Sequence, residues 1–372
     1  METNFTPNSR LLKATHIGIL LVIIIAALIF FKDILKPLAV ALIVWYIIRA
    51  LQNFIGSIKI KGRKAPRWLS GTLSVVIISL ILQITINLIV DNLTLILNNY
   101  KTYQATFQIF FQKVSDFIGI SDLEDRIMGK LEGIDLQAYL NGILSSMTSI
   151  LSNLIIVLIY LVFLLLEEVS LKKKMRKLFS DEHIWFRFQS ISDQIYTSTN
   201  RYITLKTYVS LLTAGLSYVV LIIIGVDYAF LWAFLIFLFN YIPYIGSLIA
   251  TVLPAIFAVL QFGSFWPFLW VLLFVEAVQL VVGNYIEPKI MGKSLNLSPL
   301  VVVITLSLWG YLWDILGMVI SVPITSIMLI VLAQFPSTRN ISILLSENGE
   351  IDELVVKDLP DLPFETEVNQ HP

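Results

Sequence analysis

The sequence predicts an all-α integral membrane protein of about eight transmembrane segments, with broken or re-entrant helices in its C-terminal half. Three observations carry that prediction. The 372 residues are 57% hydrophobic and only 14% charged, with a mean hydropathy of +0.82, whereas a soluble domain is about 25% charged. Apolar runs of helix length recur along the chain, and short clusters of lysine and arginine separate the early ones. In the C-terminal half the runs are interrupted by Pro243, Gly246, Pro254, Pro288, Gly292, Gly317 and Pro323. Proline and glycine at membrane depth free backbone groups that only protein or a water-filled cavity can satisfy. A pair of such broken segments in one chain points to a transport site.

Residues 10–90 carry the first three spans. The apolar run 17–31 follows Arg10 and Lys13, lacks a small-residue cleavage site, and reads as an uncleaved span with its N-terminus inside. The second span, 34–51, has Pro37 near its start, where proline is tolerated. Lys59, Lys61, Arg63, Lys64 and Arg67 then form a short basic loop, which the positive-inside rule places in the cytoplasm. The third span is 69–90.

Residues 91–142 change character. Asp116, Asp122, Glu124, Asp125, Glu132 and Asp135 are scattered among lysines, and Phe107, Phe110, Phe111, Val114 and Phe117 recur at helical spacing. This predicts an extracytoplasmic insertion of amphipathic helices, either a plain cap or a surface lying against the membrane or a neighbouring subunit.

Spans four to eight and their breaks fill residues 143–335. The fourth span, 143–166, is followed by Lys172, Lys173, Lys174, Arg176 and Lys177, a second cytoplasmic marker consistent with the first. Residues 183–202 are amphipathic and 205–225 form the fifth span. The runs 229–239 and 247–260 are each shorter than the ~20 residues of a crossing, so they make either one bent helix or a re-entrant hairpin with its tip at 242–245. Residues 266–282 are nearly a full span, 300–308 are short, and 315–334 make the last crossing. The tail, 336–372, is acidic and free of apolar runs, which predicts a partly disordered cytoplasmic segment.

Glu276 is the sharpest single residue, a carboxylate inside an apolar run, where burial costs at least several kcal/mol. Gln279 lies on the same helical face, and Gly283 would admit a neighbouring backbone. Glu276 either couples a proton or cation, or contacts solute, or makes a structural hydrogen bond with a residue such as Lys206 or Asn240. Asn240 and Asn284 precede breaks and either satisfy freed backbone or bind solute. Glu287 and Lys289 either solvate a polar connector or gate an entrance. Asp314, between Gly310 and Gly317, is either an interfacial turn residue or part of the pathway. Ser321 and Thr325 are placed to compensate Pro323. One internal echo relates residues 240–246 to 284–292 and would suit a structural repeat.

Other classes find no support in the residues. The absence of cysteine excludes disulfides and thiolate metal sites. His16, His183 and His371 have no metal-ligand spacing, so neither metal nor cofactor is expected. Zero net charge argues against nucleic acid. No catalytic motif or phosphate loop is present, so the chain is no enzyme, and transport would be secondary or passive.

Residues 239–254 (FNYIPYIGSLIATVLP), 287–299 (EPKIMGKSLNLSP) and 309–325 (WGYLWDILGMVISVPIT) resemble the autoinducer-2 exporter family, also called the PerM-like permeases. The resemblance extends over residues 10–335, though the N-terminal third matches only in hydropathy and layout. Asn240, Pro243, Gly246, Glu287, Pro288, Gly292, Pro299, Gly317 and Pro323 coincide with the family's motif positions. The resemblance implies a multi-pass transporter of the bacterial cytoplasmic membrane that assembles into homo-oligomers, pentamers among them. It implies export of a small polar solute like autoinducer-2, or sodium/proton exchange with Na+ or H+ as coupling ion. A non-transporting membrane scaffold is the rival from another class. Substrate, coupling ion, direction and the side of the C-terminus stay open at this level.

Overall fold

Apolar length and punctuation decide where this chain turns. The computed structural model describes residues 9–57, 59–60, 63–64, 66–118, 136–292 and 296–356, and nearly all of these are helical. α1 (Ser9–Phe30) and α2 (Lys32–Ser57) meet at Phe31, next to the charged corner formed by Lys32, Asp33 and Lys36. The basic loop folds into a two-residue hairpin, β1 (Lys59–Ile60) against β2 (Arg63–Lys64). Pro66 precedes α3 (Arg67–Asn98), which runs on past the apolar stretch to the junction at Asn99. α4 (Tyr100–Ile118) is the amphipathic helix of the insertion, whose next residues, 119–135, lie outside those described.

α5 (Leu136–Leu178) ends in the second lysine cluster. α6 (Glu182–Ile224) begins at Asp181, whose side chain accepts hydrogen bonds from the amides of His183 and Ile184, and stops at Gly225, φ +84°. Such a left-handed C-cap favours glycine. The amphipathic stretch and the fifth span are therefore one helix, about 65 Å long. α7 (Ala229–Phe239), α8 (Ile245–Phe262) and α9 (Phe265–Val281) follow, and a π-turn at Val282–Ile286 carries the chain into α10 (Glu287–Met291). α11 (Pro299–Ala333) and the short α12 (Arg339–Leu345) complete the order.

Among the described residues six helices are long and apolar enough to cross a membrane, and Leu154–Glu168 with Ser170–Leu178, bent by 55°, makes a seventh if the bent pair is one span. Gly18–Phe30 and Ala229–Phe239 are shorter apolar helices. Leu80, Ile81 and Ile84 on α3 and Ile155, Phe163 and Leu166 on α5 are exposed. Such outward apolar faces suit lipid as their solvent. The fold is the all-α polytopic architecture the sequence predicts.

Two helical hairpins define the C-terminal half. In the first, Gln261 donates to the Gly225 carbonyl at 2.9 Å and accepts from the Asp227 amide at 2.8 Å. The end of α8 therefore lies beside the start of α7, so the chain turns back on itself rather than continuing as a bent span. The second lies within α11, whose backbone leaves helical geometry at Trp313 (φ −133°, ψ 19°) and Asp314 (φ 57°, ψ −142°). Leu297, before α11, packs in one cluster with Val322 and Leu329 of its second half. Both ends of α11 thus lie at one end of the molecule. The predicted short run and last crossing are the two legs of this hairpin.

The hairpins point in opposite directions. The first tip reaches α6 at Thr207 and Ser210. The base of the second lies nearer the N-terminus of α6, where Arg187 donates to the Gln334 carbonyl at 3.2 Å. Its tip reaches the α1–α2 corner instead, where Trp313 Nε1 donates to the Leu28 carbonyl at 3.0 Å. Each hairpin pairs a shorter leg with a longer one, about 16 and 27 Å in the first and about 21 and 28 Å in the second.

Candidate functional site

The first hairpin tip is built by sequence that cannot stay helical. Pro243 has no amide to donate, and the Phe239 carbonyl is taken by the amide of Ile242 at 2.8 Å. Tyr244 adopts φ 60°, ψ −57°, and the Ile245 amide bonds the Pro243 carbonyl at 2.6 Å, closing a γ-turn of the strained hand. Gly246 then packs so closely that a Cβ would lie 1.8 Å from the Phe239 carbonyl oxygen. Only glycine fits there. Strain of this kind, in an otherwise regular membrane helix, collects where function holds the backbone in place.

Polar side chains converge at this tip. Asn240 Nδ2 donates to Ser210 Oγ at 3.0 Å, and Thr207 Oγ1 and Tyr241 OH share a hydrogen bond at 2.7 Å. One turn away, Lys206 Nζ pairs with Glu287 Oε1 at 2.5 Å, with the lysine side chain 7% and the carboxylate 23% exposed. Tyr202, fully buried one turn earlier on α6, faces the same carboxylate. Gln279, also buried, donates to the Ser247 carbonyl at 3.4 Å and ties α9 to the hairpin. Desolvating both ions is offset only by close pairing and further hydrogen bonds. The arrangement presents a strong donor and a strong acceptor side by side inside an apolar protein. A polar solute with both kinds of group could exchange with them.

A hydrogen-bonding deficit lies nearby. Trp45 Nε1 and Arg49 Nε on α2, with Gln194 Oε1, Asn200 Oδ1 and Thr204 Oγ1 on α6, are buried without a partner among the described residues. Two of these atoms donate, two accept and the Thr204 hydroxyl can do either, so water or a hydroxylated solute would satisfy the seam. Arg49 itself pairs with Glu168 of α5.

The structure brings Asn240, Gln279 and Glu287 to this region and separates the other expected pathway residues. Glu276 is half-buried on α9 with no hydrogen-bond or ion-pair partner among the described residues. The expected structural bond from Glu276 to Lys206 or Asn240 is not formed, because those residues are held by Glu287 and Ser210. Asn284 is exposed in the π-turn, and Gly283 has open space where close backbone approach was expected. Pro254 is buried within α8. Pro288 lies in the first turn of α10, and Gly292, at φ 54°, ends it. Beside Pro323, Ser321 and Thr325 bond the carbonyls of Met318 and Ser321, so neither takes the Val319 carbonyl that the proline frees.

Asp314 lies at the other tip, 79% exposed and paired with Lys36 at 2.7 Å. That tip repeats the local geometry of the first: a Cβ on Gly317 would lie 1.8 Å from the Trp309 carbonyl oxygen. The counterpart of residues 239–246 is therefore 309–317. The segment 284–292 expected from the sequence echo is a π-turn leading into α10, and its Gly292 has nothing crowding it.

Lys206 is the residue the sequence conceals, since it lies 81 positions from its partner. A signal does exist in the spacing of Thr199, Lys206, Ser210, Thr213 and Ser217, which lie along one face of α6 and are all buried. At the far end of the first hairpin, a cleft of about 450 Å³ lies between Asn99, Tyr103, Asp227, Tyr228 and Gln261. There the Tyr103 phenol is pushed above its ordinary range by burial, by Tyr228 and by the Asp227 carboxylate.

Comparison with known proteins places this arrangement. Residues 19–337 match the family described as AI-2E family transporter. A Haemophilus influenzae protein whose name assigns it to transport, without a substrate, is 32% identical over 352 residues, covering 91% of this chain and 98% of its own length. The AI-2 transport protein TqsA of Escherichia coli is 30% identical over 331 residues, covering 88% and 94% respectively.

Proposed function

This chain belongs to the AI-2E family of membrane transporters, and on that premise we propose that it exports a small polar, hydroxylated solute of the autoinducer-2 kind. The observation that carries the reading is the Lys206–Glu287 pair at a strained hairpin tip, flanked by Asn240, Ser210, Thr207 and Tyr241. Hydroxyls of the solute would take the place of protein partners there, and the orphaned atoms of the α2–α6 seam would continue the polar route. The basic clusters at 59–67 and 172–177 orient the chain in the bacterial cytoplasmic membrane, with α6 starting on the cytoplasmic side. The first hairpin tip then faces the cytoplasm and the second the exterior. Assembly as a homo-oligomer belongs to the same reading.

A second reading has one observation in its favour. Glu276 is a half-buried carboxylate without a partner among the described residues, inside a membrane helix, the device expected of a cation/proton antiporter. One experiment separates the two: flux into proteoliposomes of autoinducer-2, Na+ and H+, each offered under an imposed gradient. The export reading expects autoinducer-2 to move, Lys206→Met and Glu287→Gln each to lower its flux at least tenfold, and Glu276→Gln to leave it within twofold. Sodium or proton flux abolished by Glu276→Gln, with autoinducer-2 immobile, would establish the antiporter instead.

A further inference from the structure

The segment after α11 does not hang free. The Leu345 carbonyl accepts from the Ser298 amide at 3.0 Å, the Glu347 amide bonds the Asn296 carbonyl at 3.2 Å, and Asn296 Nδ2 donates to the Glu350 carbonyl at 2.6 Å. Gln334 then holds the other end, donating to the Leu354 carbonyl at 2.6 Å and accepting from the Val356 amide at 3.0 Å. Asn296 precedes the first leg of the second hairpin and Gln334 follows the second. The segment therefore clasps both legs at their base. Gln194 of α6 adds a third anchor at the Glu353 carbonyl, 3.4 Å away.

Its apolar side chains point to a purpose beyond tethering. Ile351 is 3% exposed, and Leu345 and Leu354 pack on the cluster formed by Tyr202, Ile203, Met291, Leu297, Val322 and Leu329. Tyr202 lies one helical turn from Lys206, and Met291 lies one turn from Glu287, each on the same helix face as the member of the ion pair it flanks. The segment thus covers the approach to the pair from the end where the second hairpin begins. What holds it, besides its apolar packing, is backbone hydrogen bonding at 296–298 and to three amide side chains, those of Gln194, Asn296 and Gln334. The exposed Arg339–Asp352 pair at 3.1 Å lies within the segment and does not tie it to the bundle. Contacts of this kind contribute little individually, so the cover can be lifted without unfolding the bundle.

We propose that residues 339–356 form a releasable strap that occludes the Lys206–Glu287 site and restrains the base of the second hairpin, so that the full-length chain is held below its maximal rate. The inference rests on the site assigned above, and its test includes a readout independent of transport. In the cysteine-free chain, Met291→Cys supplies a single thiol beneath the strap. Its rate of modification by a charged, membrane-impermeant maleimide is compared among the full chain, a Gln334→Met variant, and a chain ending after Ser346. Autoinducer-2 flux is measured in the same proteoliposomes without Met291→Cys.

The expected result is labelling at least tenfold faster in both strap variants, together with flux raised severalfold. A disulfide between Asn296→Cys and Glu350→Cys should suppress flux and return it on reduction. Equal labelling rates would overturn the occlusion. Faster labelling with flux reduced in well-folded protein would show a structural brace and also overturn the proposal. Should autoinducer-2 move in no variant, the substrate reading fails, and the labelling rates alone decide the strap.

Discussion

The two hairpins use the same backbone device and surround it with opposite chemistry. Each tip has a non-glycine residue at positive φ, Tyr244 in one and Asp314 in the other. In each, a glycine lies against a carbonyl so closely that a Cβ would be 1.8 Å from its oxygen. The first tip is lined by part-buried hydrogen-bonded side chains and a largely buried ion pair. The second is held by an indole N–H and an ion pair whose carboxylate is 79% exposed. Geometry alone therefore does not make a site. On the proposed reading the polar face of α6 does, and only the first hairpin turns its tip to that face.

Substitutions that separate the shared device from the unshared chemistry test this comparison most sharply. The largest effects are expected from Gly246→Ala and Gly317→Ala. Neither backbone can accept a Cβ, so both should lose most of their monodisperse yield in detergent, while Gly283→Ala, facing open space, should match the parent. Equal yields for all three would show that the tips relax freely and that the tight packing is unimportant.

Next come the ion pairs. Lys206→Met leaves a carboxylate mostly out of water and should destabilise the protein by roughly 3–5 kcal/mol. Lys36→Met at the exposed pair should remain within about 1 kcal/mol. Thermal unfolding in detergent distinguishes them. The double change Lys206→Met with Glu287→Leu should recover most of the stability without recovering flux, because replacing both charges removes the desolvation penalty but also the polar partners. Recovery of both would assign the pair a purely structural role.

Tyr241→Phe removes one side of a single neutral hydrogen bond, for which about 1 kcal/mol is the ordinary scale, and Thr207→Val removes that bond together with the one its hydroxyl donates to the Ile203 carbonyl. The smallest effect is expected from Asp314→Gly, which loses the Lys36 partner and gains a residue suited to φ 57°. A change in melting temperature too small to resolve is the outcome that fits the comparison. A large loss would move functional weight to the second tip.

The hairpin tips were legible in the sequence through Pro243, Gly246, Asp314 and Gly317, whereas Tyr244 and Trp313, where the backbone leaves helical geometry, carry no such mark and Pro254 lies inside an unbroken helix. Partnership was not legible. Glu276 draws the eye as a charge in an apolar run, yet it makes no bond among the described residues. Glu287 looks like connector material beside Pro288, yet it holds the buried lysine. Lys206 reads as one more cation near the start of a span, because the 81 residues to its partner hide a contact made only once α10 folds back on α6. Direction was hidden for the same reason: hydropathy records how long a leg is, not whether the chain returns. The echo was sought at 284–292 because it shares letters with 240–246, whereas the repeated feature is a contact of crowded glycine and carbonyl with few letters in common.

The strap also bears on how the molecule is made. Its anchors Leu354 and Val356 follow every described apolar helix in chain order, so they are among the last described residues to leave the ribosome. At about 5–20 residues per second, the second hairpin spends on the order of a second with both feet unclasped after Gln334 has emerged. Both legs are therefore synthesised before their base can be fastened, and a chain arrested at that stage would carry an open base.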